Sequence, residues 1–231
     1  TEAIPVNKRT VFSSERGEKT NFLVKNNQLP TTFPPNWKVE KQDDGLFKVE
    51  VDGELSVLLP DTISSKVCSA GQLPTGFDPA NLYQSRNHPR GLQLTVFAAS
   101  DAVSSLGINW EQVKNRVPPD QISVYASSAM GQLDSNGSGG LLQAALQGRR
   151  TTSKNLPLGL AEMTADFVNA YVLGNVGTTG ANIGACATFL YNLRQGINDI
   201  KSGKYKVAIV GASEAPLTPE VIEGYRKMGA L

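Results

Sequence analysis

Residues 177–214 read GTTGANIGACATFLYNLRQGINDIKSGKYKVAIVGASE, and this stretch decides the fold. Glycine and alanine dominate its first part, which ends at Cys186. Four apolar residues then recur at spacings of four and three, which is typical of a helix with one buried face: Leu190, Leu193, Ile197 and Ile200. Gly203 can take the left-handed conformation that ends helices, and residues 207–210 are typical of a strand covered on both faces. We therefore predict a glycine-rich segment, a helix opened by Cys186 and buried along the apolar stripe, and a buried strand.

Cys186 occupies a position suited to a nucleophile. A thiol at the N-terminus of a helix lies among unpaired backbone N–H groups and a partial positive charge, which favour the thiolate over the thiol. Small neighbours leave room for a substrate carbonyl, and the Cys186 N–H could help to hold a developing oxyanion. The spacing leaves open the alternative that Cys186 is a small buried hydrophobic residue.

Composition excludes several classes of function. The 231 residues include 22 Lys and Arg against 21 Asp and Glu, so nothing indicates a nucleic-acid partner. No apolar run approaches the about 20 residues that span a bilayer, and the N-terminus lacks the apolar region of a signal peptide, so we expect a soluble, cytoplasmic protein. Cys68 and Cys186 lack the spacing of metal ligands or of a disulfide framework, so we predict two free thiols and no metal, with Cys68 incidental. We expect the single histidine, His88, to position a loop.

Two segments differ in character. Residues 1–65 contain short alternating runs separated by Asp-Gly pairs at 44–45 and 52–53, which predict a three-stranded antiparallel meander over 37–40, 47–51 and 55–57. Residues 66–231 form the predicted α/β domain, with a helix over 89–106, a strand over 122–126 and a helix that ends at Gly174. The glycine-rich residues 131–140 lack a phosphate-loop motif and are interpreted as a surface or interface loop. A basic cluster could receive an acidic partner or a phosphate, although a solvated face is the commoner explanation: Arg149, Arg150 and Lys154.

Residues 184–188, GACAT, resemble the nucleophile motif of the β-ketoacyl-ACP synthases, the decarboxylating condensing enzymes with the thiolase fold. Further stretches are similar in the same order across residues 66–231: SSAMG at 127–131, LGNVG at 173–177, VGASE at 210–214 and YRKMGAL at 225–231. Residues 69–77, 85–92 and 184–192 are most similar to the long bacterial type that initiates fatty acid synthesis from acetyl-CoA. The resemblance implies an α/β, thiolase-like fold with αβαβα layers, of which the chain holds mostly the N-terminal half, preceded by an extra β-rich segment.

The resemblance also implies a chemistry. Cys186 takes an acyl group as a thioester, malonyl-ACP is decarboxylated, and the resulting carbanion attacks the thioester. Met130, Val221 and Tyr225 then line or gate the acyl pocket, with Met130 reaching into the partner's pocket across a homodimer. The implied partners are the acyl carrier protein and acetyl-CoA or acyl-CoA. No resident cofactor is implied, because phosphopantetheine arrives on the carrier protein or on CoA.

The sequence departs from the family in what it lacks. Two histidines that promote decarboxylation, a lysine and the second oxyanion donor belong to the family's C-terminal half, and the family's opening strand should precede Thr1. We therefore expect a piece of a longer synthase that is inactive alone. Three alternatives stay open: a non-decarboxylating thiolase-type acyltransferase, a structural or interaction piece without activity, and a cysteine hydrolase with a nucleophile elbow, since Gly184-x-Cys186-x-Thr188 nearly fits that motif.

Overall fold

The computed structural model describes residues 3–13, 18–64, 67 and 71–231. The chain divides into two compact units, Thr1–Cys68 and Ser69–Leu231. Compact packing does not by itself establish independent domains, so the predicted division between residues 65 and 66 stays a prediction. Cys68 lies outside the described residues, and its assignment as an incidental free thiol also stays a prediction.

Five strands build the first unit: β1 (Ala3–Ser13), β2 (Lys19–Val24), β3 (Trp37–Lys41), β4 (Phe47–Asp52) and β5 (Glu54–Ser64). A single helical turn of the 3-10 type, Asn26–Gln28, lies between β2 and β3. Strands β2, β4 and β3 form an antiparallel sheet in that order, and β1 pairs with β5 along their whole length, from Ala3 opposite Ser64 to Ser13 opposite Glu54. Val49 and Val51 of β4 are completely buried and form the centre of this unit's core with Leu55.

The predicted meander is therefore correct for two strands and wrong for the third. β3 and β4 pair across the predicted turn, where Gly45 has φ +81° and the Asp44 carboxylate accepts a hydrogen bond from the Leu46 N–H (3.0 Å). The strand after the second Asp-Gly pair is β5, and it pairs with β1. The position beside β4 that the sequence predicted for β5 is occupied by β2. Alternating polarity identifies a strand but contains no information about which strand will pair with it.

Three parallel strands form the sheet of the second unit: β6 (Ile122–Ser127), β7 (Thr178–Gly180) and β8 (Val207–Ala212), in the order β7-β6-β8. Every residue of β6 is buried, which agrees with the predicted strand at 122–126. β8 is present as predicted, but as an outer strand of the described sheet its residues are mostly half-buried. The prediction that both faces of this strand are covered is wrong in this structure.

The described part of the second unit also contains seven α-helices: α1 (Arg90–Ser105), α2 (Trp110–Lys114), α3 (Ser138–Gln143), α4 (Asn155–Gly159), α5 (Met163–Phe167), α6 (Thr188–Lys201) and α7 (Pro219–Lys227). Single 3-10 turns cover Pro79–Asn81, Pro119–Gln121 and Ala185–Ala187, and α5 continues as a π-helix over Val168–Leu173. α1 confirms the predicted helix at 89–106, and the helix predicted to end at Gly174 does so, with φ +55° at that glycine. The glycine-rich segment at 131–140 is a loop only in its first part, because α3 begins at Ser138.

Helix α6 corrects the prediction about the apolar stripe. Leu190, Ile197 and Ile200 are 62%, 43% and 45% exposed, and Leu193 is half-buried. The buried face consists of polar and small residues instead: Thr188, Asn192, Gly196 and Asp199. These residues fit against the sheet because hydrogen bonds satisfy their polar groups, and because Gly196 allows the helix to lie close to β8.

The described residues contain neither a candidate membrane span nor a candidate metal cluster. None of the helices there is long and apolar enough to cross a membrane. No group of three His, Cys, Asp or Glu side chains that could hold a metal ion occurs within those residues.

Candidate active site

Cys186 lies in the 3-10 turn Ala185–Ala187, which leads directly into α6. The chain reaches this turn from β7, so Cys186 lies beyond the carboxyl ends of the parallel strands, where ligands bind in open α/β sheets. Cys186 is exposed, which argues against the alternative of a buried hydrophobic thiol. It does not lie on a buried stripe, contrary to the prediction.

The backbone of the turn before Cys186 is held in one conformation by its neighbours. Ala185 has φ +49°, in the left-handed region that residues other than glycine rarely adopt. The Thr188 hydroxyl accepts a hydrogen bond from the Gly184 N–H (3.1 Å) and donates one to the Ala185 carbonyl (2.7 Å). A side chain at Gly184 would collide with the ring of Tyr191. The first turn of α6 thus holds the backbone on both sides of Ala185.

A buried polar network fixes the chain four residues before Cys186. Asn192 of α6 is completely buried, and its amide oxygen accepts hydrogen bonds from the backbone N–H (3.0 Å) and the side-chain amide (3.2 Å) of Asn182. Its amide nitrogen donates to the Ser127 hydroxyl (2.8 Å) and to the Gly211 carbonyl (2.9 Å). The Ser127 hydroxyl in turn donates to the Asn182 carbonyl (2.7 Å). The ends of β6 and β8, the loop after β7 and α6 are therefore joined through one side chain.

Sequence reasoning missed this network, although the sequence contained a signal for the polar face of α6 from which it is built. Thr188, Asn192, Gly196 and Asp199 recur at spacings of four, four and three, which places them on one side of a helix just as the apolar residues are placed on another. The apolar stripe is the stronger signal for a buried side, because polar residues usually face solvent.

Two of the predicted pocket residues are in contact. The Tyr225 hydroxyl of α7 lies 3.4 Å from the Met130 sulfur, and Val221 lies one helical turn before Tyr225 and is buried. The loop that holds Met130 is tied to the end of β8, because the Glu214 carboxylate accepts hydrogen bonds from the Ser128 hydroxyl (2.9 Å) and from the Ala129 N–H. None of the hydrogen bonds among the described residues joins Met130, Val221 or Tyr225 to Cys186.

His88 belongs to an aromatic cluster rather than to the surroundings of Cys186. Its ring packs against those of Tyr83, Phe167 and Tyr171 at centroid distances of 4.9–5.6 Å, and its Nδ1 lies 3.2 Å from the Tyr83 hydroxyl. Its carbonyl accepts a hydrogen bond from the Gln93 side chain of α1 (3.0 Å). Burial holds the pKa of His88 below its ordinary value, and the charge of Lys154 acts in the same direction. These contacts support the predicted role of His88 in positioning its loop.

The basic cluster predicted from the sequence lies together in space. Arg149, Arg150 and Lys154 line a cavity of about 300 Å³ with the side chains of Asn87 and Asn155. Among the described residues, no Asp or Glu side chain lies in the cavity wall. The cluster is exposed to solvent, as the sequence interpretation expected.

Comparison with known proteins gives consistent results. Residues 17–231 match the family model of the N-terminal domain of β-ketoacyl synthases. The chain is 50% identical over 230 residues to FabY, a β-ketoacyl-[acyl-carrier-protein] synthase of Pseudomonas aeruginosa; the match covers 100% of this chain and 36% of that protein. The crystal structure of that ketosynthase superposes with a TM-score of 0.93 over 100% of this chain. A 3-oxoacyl-[acyl-carrier-protein] synthase 2 of Staphylococcus aureus is 26% identical over 148 residues, which are 64% of this chain and 36% of that protein. The chain thus spans about a third of the length of these two relatives.

Proposed function

The chain belongs to the β-ketoacyl synthase family, and from this membership we propose that the protein is a 3-oxoacyl-[acyl-carrier-protein] synthase of fatty acid biosynthesis. The fold is the thiolase-like α/β fold expected from the sequence. The observation that supports the proposal most directly is an exposed Cys186 at the start of α6, held beyond the carboxyl ends of the parallel strands.

The proposed reaction has two steps, which divide one difficult condensation into two easier ones. The Cys186 thiolate attacks the carbonyl carbon of an acyl thioester and forms a bond between its sulfur and that carbon. The original carbon–sulfur bond breaks, and CoA or the carrier protein leaves as its thiolate. Malonyl-ACP then loses CO₂, and the electron pair left on carbon attacks the acyl-Cys186 carbonyl. The bond to Cys186 breaks, which regenerates the thiolate and releases β-ketoacyl-ACP.

This part of the protein supplies the nucleophile and one oxyanion donor, the Cys186 N–H. Charge develops on the carbonyl oxygen in both steps, and a backbone donor fixed at the start of a helix stabilises it without rearrangement. In the proposal, the family's C-terminal half supplies the groups that promote decarboxylation, and Met130, Val221 and Tyr225 line or gate the acyl pocket. Within one chain the Tyr225 hydroxyl lies against the Met130 sulfur, which supports placing these two residues at a common site. We propose the acyl carrier protein and acetyl-CoA or acyl-CoA as partners, and a homodimer in which Met130 reaches the partner's pocket.

Intact-protein mass spectrometry tests the covalent step. Full-length protein incubated with acetyl-CoA, or with the inhibitor cerulenin, is expected to gain one adduct, and the Cys186→Ala variant none. An unlabelled full-length protein, or labelling that persists in Cys186→Ala, would refute the assignment of Cys186.

The same incubations separate the competing enzyme classes. A cysteine hydrolase would release free acetate and accumulate little adduct. A thiolase-type enzyme would condense two acetyl thioesters without malonyl-ACP and without release of CO₂. The synthase should release one CO₂ for each β-ketoacyl-ACP formed.

A further inference from the structure

The backbone directly before Cys186 is strained. Ala185 has φ +49°, and of the described residues other than glycine only Asn87 shares a positive φ. Such a conformation is unfavourable for alanine, because its Cβ approaches the neighbouring carbonyl, and it persists only where the surrounding structure imposes it. The direction in which Cys186 points therefore depends on contacts outside the turn itself.

Those contacts come from two sides. On the C-terminal side, the Thr188 hydroxyl binds the Gly184 N–H and the Ala185 carbonyl. On the N-terminal side, Asn182 is held by its backbone N–H to Asn192 and by its carbonyl to Ser127. Asn192 and Ser127 are also bonded to each other, so the three residues form a closed ring of hydrogen bonds.

Asn192 is the member of this ring that connects the most elements. Its side chain is completely buried, and its amide uses both lone pairs of the oxygen and both protons of the nitrogen. No other common side chain of this size offers two donors and two acceptors in one plane. A buried amide with every group satisfied fixes one arrangement of its neighbours, since any displacement would leave a polar group unpaired.

We propose that Asn192 is a positioning residue for Cys186. It anchors Asn182 to the ends of β6 and β8, and this anchor imposes the left-handed conformation at Ala185 that directs the thiol toward the substrate. The inference rests on the proposed function in one respect, that Cys186 is the acyl acceptor.

The same helix offers a matched control at its other end. The Tyr125 hydroxyl of β6 donates a hydrogen bond to the buried Asp199 carboxylate, which also accepts one from Gln195 (3.1 Å). This contact joins α6 to the same strand as Asn192 does, but three helical turns away from the Cys186 turn. Tyr125→Phe should therefore loosen α6 from the sheet without releasing the loop that contains Asn182.

The experiment measures the rate of Cys186 modification in full-length protein, by acetyl-CoA and independently by iodoacetamide, with each rate corrected for the folded fraction. Asn192→Ala is expected to slow acylation about tenfold to a hundredfold, as displaced reacting groups typically do. Tyr125→Phe should change the corrected rate less than about twofold. Ser127→Ala removes the two bonds of the ring that its hydroxyl makes and keeps those between Asn192 and Asn182. It should give an intermediate loss and serves where Asn192→Ala does not fold.

Substitution of Ala185 distinguishes an effect of Asn192 on the position of the Cys186 thiol from an effect on the stability of the whole protein. Glycine adopts the left-handed conformation without strain, so Ala185→Gly should reduce the effect of Asn192→Ala on the corrected rate several-fold. Equal rate losses in Asn192→Ala and Tyr125→Phe, or no reduction of the loss by Ala185→Gly, would overturn the inference. If acetyl-CoA never acylates the unaltered protein, the proposed function fails, and the iodoacetamide rates still decide whether Asn192 positions the thiol.

Discussion

Gly196 lies where α6 packs closely against β8, and its replacement by alanine makes a sharp test of that packing. A Cβ built at Gly196 would lie 2.7 Å from the Val210 Cγ1 and 3.3 Å from the Ala208 Cβ. Carbon atoms in favourable contact are about 3.5 to 4.0 Å apart, so the first of these distances is a collision. The added methyl group therefore forces either α6 or β8 to move.

The expected cost is the difference between two opposing effects. Alanine is favoured over glycine inside a helix by about 1 kcal/mol. Overpacking of a well-packed contact costs about 1 to 3 kcal/mol, so Gly196→Ala should range from neutral to about 2 kcal/mol destabilising. Gly224 of α7 provides the control, because a Cβ there meets nothing within 4 Å. Gly224→Ala should stabilise the protein by about 0.5 to 1 kcal/mol.

Urea unfolding of the two variants and of the unaltered protein gives the measurement. Both substitutions gain the same helix propensity. The difference between their changes in the free energy of unfolding is therefore the cost of the collision at residue 196, which we expect to be about 1 to 3 kcal/mol. Val210→Ala removes the atom that collides, and the double variant Gly196→Ala, Val210→Ala should lose less stability than the sum of the two single changes. A Gly196→Ala variant as stabilised as Gly224→Ala would refute the packing of α6 on β8 described here.

Three further predictions concern other parts of the second unit. Burial holds the pKa of His88 down in the folded state, so the unfolded chain binds the proton first as the pH falls below the ordinary histidine value of about 6.5. The free energy of unfolding should therefore decrease between pH 7.5 and 5.5, and decrease less in His88→Phe. Gly203 has φ +73° with open space around it, so Gly203→Ala should cost about 1 to 2 kcal/mol and Gly203→Asn less, as measured by urea unfolding. Trp110→Phe removes the hydrogen bond from the indole to the Leu173 carbonyl (2.9 Å), and it should lower the free energy of unfolding by about 1 to 3 kcal/mol in thermal unfolding. An unchanged free energy of unfolding would show that this hydrogen bond does not stabilise the fold.

The sequence was sufficient for several helices and strands of the second unit. Periodicity at 89–106 and the glycine that follows it predicted α1, and the apolar run at 122–126 predicted β6, because these signals are local and depend on residues close in the chain. The glycine-rich approach to Cys186 and the start of α6 were predicted for the same reason. The family also followed from sequence, since ordered short motifs across residues 66–231 indicated it and residues 17–231 match its model.

Only the tertiary structure decided which faces and strands meet. The stripe that contains Leu190 and Ile197 looked like the buried side of α6, yet Asn192 and Asp199 face the sheet, because partners that are distant in the chain satisfy their hydrogen bonds. The partner of β5 was likewise undetermined, since β1 and β4 are both suitable strands. Cys186 could be located from the sequence alone, but the ring of hydrogen bonds that holds its turn joins residues up to 65 positions apart, and no local pattern reports such a contact.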